Sequence, residues 1–253
     1  MKVICAGFPK TGTKSLAEAL RQLGFVVYDF IENFWYLEKE WNSIFGRGGA
    51  KENFRRMFEN VDAICDFPAC YFCEELLEAF PDAKVILSSR ESDSVENWLD
   101  AMTTQSSILS NNLTFRLILA LTPTGNRLLS FIRNIGRIIY GDKPMSRYRP
   151  LTVNRMLMKK VYLRHYTYVL QAVPQENLLT FKCSEGWEPL CKFLGVTRPN
   201  MVFPHENIRG EVIEKSLISN PMILKIKREL TVVVCVAFAC LSCLVYTFTR
   251  THF

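Results

Sequence analysis

The first 23 residues constrain the fold most. Val3-Ile4-Cys5-Ala6 is a short apolar run and Gly7-Phe8-Pro9-Lys10-Thr11-Gly12-Thr13-Lys14-Ser15 is a glycine-bearing turn. Leu16, Leu20 and Leu23 follow at helical spacing, and Gly24 supplies a C-terminal stop. Strand, turn and helix in this order aim backbone N–H groups and a helix N-terminus at one spot, which favours a phosphate or sulfate. Lys10, Thr11, Thr13, Lys14 and Ser15 add side-chain donors. The alternative is an ordinary Pro/Gly turn before a helix.

Register separates the chemistries such a loop serves. Nucleotide hydrolases read G-x-x-x-x-G-K-[ST]. Gly7 and Gly12 have that separation, but Thr13 holds the lysine position and Lys14-Ser15 come one residue late. One residue is about 100° of helix rotation, so Lys14 does not point where a γ-phosphate needs it. The loop also lacks the Gly-x-Gly of dinucleotide sites. Lys10, two residues before Gly12, stands inside the turn, within reach of the bridging oxygen of a bound phosphoanhydride.

Downstream, short apolar runs alternate with helical patterns. Phe25–Tyr28, Ala63–Cys65, Lys84–Ser89 and Leu178–Phe181 read as strands. Ser15–Leu23, Glu32–Trp41, Lys51–Phe58, Tyr71–Phe80, Ser92–Met102, two helices around Pro123, Leu151–Val173 and Trp187–Leu194 read as helices. The expected fold is α/β, a P-loop-type parallel sheet with helices on both faces. Ligands then bind at the C-terminal strand ends, where the opening loop, Asp66 and Arg90 all fall.

Arg90 follows the strand Val85–Ser89 and suits a two-pronged phosphate contact, or else a surface ion pair with Glu91 or Asp93. Asp66 lies between a strand and Pro68; it is a candidate general base if burial raises its pKa, or else a turn or helix-capping aspartate. The three histidines, His165, His205 and His252, are not placed after the third strand. Cys70 and Cys73 have metal-like spacing, but no second pair follows, so buried thiols are the expectation and no metal is assigned.

The charge of +6 fits an anionic ligand or a membrane surface, and the chain has no basic block of the nucleic-acid-binding kind. Thr231 to Phe248 carries no charge. As a helix it spans roughly 27 Å, close to the thickness of a bilayer core. Lys225, Lys227 and Arg228 precede it and Arg250 follows. The reading is a single C-terminal transmembrane helix, a tail anchor with the main domain on the cytosolic side; the alternative is a buried core helix. No signal peptide is expected before the first strand, and the nine cysteines are expected reduced.

Pro9-Lys10-Thr11-Gly12-Thr13 resembles the 5′-phosphosulfate loop of the sulfotransferase family. Asp66-Phe67-Pro68, Phe80-Pro81-Asp82-Ala83-Lys84-Val85-Ile86-Leu87, Glu185 to Gly195 and Phe203-Pro204-His205-Glu206-Asn207 resemble one branch of it, the sulfotransferase-like P-loop proteins of invertebrates, fungi and bacteria. The match runs over roughly residues 1–210 apart from 103–150. Lys14 stands where the family has threonine, and Trp98 where a helix serine is expected, with Ser94 a substitute.

The resemblance implies a donor, 3′-phosphoadenosine 5′-phosphosulfate. Lys10, Thr11, Gly12, Thr13, Lys14 and Ser15 would hold its 5′ end, and Arg90, Ser94 and Arg209 its 3′-phosphate. It further implies Asp66 as base and Lys10 as the lysine on the leaving oxygen. The expected domains are a P-loop domain over 1–215 with a helical insertion or acceptor lid at 103–150, a basic linker over 216–230 and the anchor over 231–249. The function expected is a membrane-anchored sulfotransferase acting on a hydroxyl or amine of a small-molecule acceptor; the apolar and basic mixture of 103–150 points to a lipophilic acceptor or to contact with the bilayer surface, or else to an ordinary helical lid packed on the core. The alternatives are an inactive nucleotide-binding relative and a P-loop kinase or hydrolase.

Overall fold

The computed structural model describes residues 1–90, 94–141, 153–205 and 220–252. Five strands form one sheet in the order β2-β3-β1-β4-β5, every adjacent pair parallel. They are β1 (Val3–Cys5), β2 (Val27–Tyr28), β3 (Ala63–Ile64), β4 (Lys84–Ser88) and β5 (Leu178–Phe181). The fold is the α/β arrangement expected. Its strands are short because each ends where the chain turns into a helix or loop over the C-terminal edge.

Alternation along the strands divides the core. Val3, Cys5, Ala63, Cys65 and Ile86 face one layer, whereas Ile4, Ala6, Ile64, Val85 and Leu87 face the other. Against the first layer pack α1 (Thr13–Gln22), through Leu16 and Leu20, and α9 (Trp187–Leu194), through Trp187 and Leu190. The second face takes α2 (Phe30–Arg47), α3 (Lys51–Met57) and α4 (Cys73–Ala79). Also there are α5 (Val95–Asn111), α6 (Leu113–Leu121), α7 (Pro123–Tyr140) and α8 (Arg155–Ala172). Trp41 lies among Phe45, Phe54, Phe58 and Phe72, and Phe131 joins them from α7. Cys70 and Cys73 are buried, and all nine cysteines are free thiols.

The sequence expectation holds best where local chemistry is strongest. The two helices flanking Pro123 form as read: Thr122 caps α7 by accepting from Gly125 N at 3.0 Å, Pro123 opens it, and Gly141 closes it in a left-handed conformation. Elsewhere ends move. The helix at Glu32 starts earlier, at Phe30, because Asp29 caps it: the carboxylate accepts from Phe30 N at 2.7 Å and Glu32 accepts from Asp29 N at 3.0 Å. It also runs on through Arg47, past the expected end at Trp41. The helix at Ser92 is described from Val95 and continues to Asn111, well past Met102. Residues 142–150 of the expected insertion lie outside the described residues, as do 151–152 and the stretch 206–219.

The last helix, α10 (Pro221–His252), docks only at its base. Met222 and Ile226 are buried against α6 and α7, and Glu229 accepts from Thr124 N at 2.9 Å and Thr124 Oγ1 at 2.8 Å. Beyond it the helix is exposed. Among the described residues Pro221–Arg250 is one helix long and apolar enough to cross a membrane, with a mean hydropathy of 2.4 over its most apolar stretch and none of that stretch buried. The buried-core alternative for this segment is therefore not what the structure contains.

Candidate active site

The loop after β1 is held from below. Gly7 passes so close to β4 that a Cβ there would lie 2.0 Å from Ser88 Oγ and 2.8 Å from Ser88 O. Phe8 is fully buried, stacked on His165 at 4.3 Å between ring centroids. His165 Nε2 lies 2.7 Å from Ala6 O, an acceptor, so the proton resides on Nε2. Burial pushes His165 down to about 4, only partly offset by that bond, so the ring is neutral and structural. Trp98 Nε1 donates to Pro9 O at 2.8 Å and Arg90 donates to Lys10 O at 3.0 Å. Trp98 thus occupies the expected serine position but acts differently, because its indole pins the loop.

At the top of the loop Gly12 is left-handed (φ 92°) and no side chain caps α1. The first-turn N–H groups of a helix have no intrahelical acceptor, so the start of α1, at Thr13 and Lys14, is a place where an anion is favoured. Thr11 is turned inward instead. Its N–H and its hydroxyl both go to Phe8 O, at 3.3 and 2.7 Å, and its oxygen lies 2.8 Å from Ser88 Oγ. Ser15 is buried.

Asp66 enters from the end of β3, next to this helix start. It is 6% exposed, and it accepts from Phe67 N at 2.7 Å and from Thr13 Oγ1 at 3.3 Å. Burial pushes its carboxyl up to about 6; Lys14 pulls it down and Asp29 pushes it up. Asp66 does not cap the following helical turn, whose cap residue is Pro68; Asp29, the comparable aspartate after β2, does cap its helix, α2. Lys14 Nζ lies 2.5 Å from Asp29 Oδ2 and 3.9 Å from Asp66 Oδ2. Burial alone would lower its pKa, but the two carboxylates outweigh that and leave it raised. Lys14 therefore bridges two buried carboxylates. The Lys10 pKa is lowered by burial, with Arg90 and Lys14 adding to the effect and Asp66 opposing it.

Lys10 (φ 70°) and Asp66 (φ 63°) are the two non-glycine residues with left-handed φ among the described residues. Such backbone conformations cost energy in an L-residue and persist where the surrounding structure imposes them, with a strong bias to functional sites. Both residues stand out in the sequence. Asp29 does not, although it ends β2 as Asp66 ends β3, and position at a C-terminal strand edge was the available signal.

A sequence model of the sulfotransferase domain matches residues 2–212. The chain belongs to the sulfotransferase family. Its relatives include the Ava biosynthesis cluster protein M of Aspergillus versicolor, 32% identical over 225 residues, covering 81% of this chain and 80% of that protein. Within the sulfotransferase frame the structure brings Lys10, Thr13, Lys14, Asp66 and Arg90 together around the start of α1. Ser94 immediately precedes α5, and its side chain does not cap it. Arg209 lies outside the described residues, as do Glu91 and Asp93, the alternative partners of Arg90.

Proposed function

We propose that this protein transfers a sulfuryl group from 3′-phosphoadenosine 5′-phosphosulfate to a hydroxyl or amine of a small-molecule acceptor, from a domain tethered to a membrane by α10. The observation that supports it best is the pairing of two left-handed residues, Lys10 and a buried Asp66, at an uncapped helix N-terminus. The residues present suit the donor. First-turn N–H groups of α1 suit its 5′-phosphosulfate, and Arg90, with Ser94 and Arg209 as further candidates, suits its 3′-phosphate. The donor supplies the activated sulfuryl group. Asp66 takes the acceptor proton as the acceptor attacks sulfur and the bond from sulfur to the phosphate oxygen breaks. Lys10 stabilises charge growing on that leaving oxygen.

A second reading has one observation in its favour: Lys14 sits on the Asp29/Asp66 pair and holds the candidate base in an ionic contact. A protein so arranged can bind the nucleotide without transferring sulfate. Thermal stabilisation of the full chain in detergent by 3′-phosphoadenosine 5′-phosphate, compared with ATP·Mg²⁺, tests the donor site. Specific stabilisation by the bisphosphate is expected, with affinity falling roughly 10- to 100-fold in Arg90→Ala, the size of one lost charged hydrogen-bond pair. A preference for ATP·Mg²⁺ would instead assign a kinase or hydrolase. Binding without transfer to any acceptor identifies the inactive relative.

Lys14 has its own expected signature. Its charge lowers the Asp66 pKa, so Lys14→Met raises that pKa further. The acid limb of the rate–pH profile moves to higher pH, activity at neutral pH falls, and alkaline buffer restores part of it. Lys14→Arg keeps the charge and leaves the limb near its place. An unmoved limb in Lys14→Met would separate Lys14 from the base.

A further inference from the structure

We propose that α6 is a second membrane contact, its outward face lying in the headgroup boundary of an anionic bilayer beside the point where α10 leaves the domain. This rests on the reading of α10 as a membrane anchor. Helix α6 reads Leu-Thr-Phe-Arg-Leu-Ile-Leu-Ala-Leu. Leu119 is buried and Phe115 and Ile118 are half-buried, which satisfies the core side. The other side is also apolar: Leu113, Leu117 and Leu121, at i, i+4 and i+8, are 64%, 45% and 47% exposed, and Ala120 is exposed between them. A surface helix in water carries polar residues on that stripe.

The place of the stripe names its occupant. Helix α10 packs against α6 and α7, and its last polar turn is bonded to the residues just after α6 through Glu229 and Thr124. Three residues beyond Glu229 the exposed apolar stretch of α10 begins, with Val232, Val234 and Phe238 at its surface. The C-terminal end of α6, at Leu121, is thus tied to the level at which α10 would enter lipid. Charge agrees with this. No Asp or Glu occurs between Asp100 and Asp142, while Arg116 on α6 and Lys225, Lys227 and Arg228 on the base of α10 are exposed. An apolar stripe with a basic rim is the pattern of a helix lying in the interface of an anionic leaflet.

The contact would orient the domain. Helix α7 carries the tail junction in its first turn, at Thr124, and ends at Tyr140, whose ring packs 6.0 Å from Phe67, the neighbour of Asp66. Its length, about 25 Å, separates the tail junction from the candidate site along the helix axis.

The test uses the full chain reconstituted into phosphatidylcholine–phosphatidylserine vesicles. A benzophenone amino acid replaces Leu117, or in a control Glu188, which is exposed on α9 across the sheet. After irradiation, lipid adducts at position 117 are expected in roughly tenfold excess over position 188, as for a face sunk about 5–10 Å into the interface. Vesicle flotation without that excess overturns the role of α6 and leaves the anchor standing. A cross-link from position 117 to a second copy of the chain, in place of lipid, also overturns it. Failure to float removes the anchor and this contact together.

Discussion

Asp66→Asn is expected to abolish sulfuryl transfer while leaving 3′-phosphoadenosine 5′-phosphate binding close to that of the unaltered protein. The substitution is chosen for the backbone as well as the chemistry. Asp66 has φ 63°, a conformation that asparagine tolerates and alanine does not. A carboxamide oxygen can still accept from Phe67 N or Thr13 Oγ1, so the local fold is kept. What disappears is the proton acceptor, and loss of a general base costs about 10²- to 10⁴-fold in rate. In the unaltered protein the rate should rise through pH 6, where the buried carboxyl ionises, and Asp66→Asn should erase that limb. Retained turnover in Asp66→Asn would remove Asp66 from the mechanism.

The same group makes a stability statement with a definite sign. Its pKa is raised from 3.8 to about 6 on folding, so the native state holds the proton more tightly than the unfolded chain. That contribution is complete below about pH 4 and is lost as pH rises through 6. Replacement by asparagine should flatten the stability profile across this window. Ionised Asp66 is thus maintained against a cost of burial, with Lys14 opposing it, which is the arrangement of a base poised near neutrality.

Gly7→Ala is expected to have the other large effect, on the fold itself. The added methyl would meet Ser88 Oγ at 2.0 Å, and the Ser88 backbone O and N at 2.8 and 2.9 Å. The hydroxyl can rotate away, but the backbone cannot. Ser88 lies in β4, fixed between β1 and β5, in register with Phe181. Relief requires lifting the loop off the sheet, which would also disturb the bonds from Trp98 and Arg90 to Pro9 and Lys10. Overpacking of this kind costs about 1–3 kcal/mol or more. For a chain of this size that lowers the melting temperature by roughly 2–12 °C. Bisphosphate affinity should fall with it. An unchanged melting temperature in Gly7→Ala would show that the loop can move off β4 without cost.

The sequence made the site legible where one residue type in one place carries the meaning. A strand–glycine turn–helix opening announces an anion site because the donors are backbone groups, present whatever the side chains are. Asp66 and Arg90 stand out by their position after strands. The helix pair around Pro123 was legible from the proline. What failed to show was the role of residues whose partners are far apart in sequence. Trp98 reads as a missing serine, yet it bonds to Pro9, 89 residues away. Lys14 reads as a donor contact, yet its ammonium reaches Asp29 and Asp66. Asp29 carries no local pattern beyond a helix cap.

By itself the sequence determined the sheet type, the strand–turn–helix opening with Lys14 one residue out of the hydrolase register, and the apolar tail. Each is a property of neighbouring residues and short periods, so local propensity and spacing are enough. The tertiary structure alone decided the rest. Asp66 is poised near neutrality because burial and two charged groups from other elements converge on it. The loop is held by contacts from β4 at Gly7, from α5 through Trp98 and from α8 through His165. The outer face of α6 gains meaning because α10 docks beside it. Burial, convergent charge and shared surface are sums over residues distant in the chain, and only folding brings those residues within range of one another.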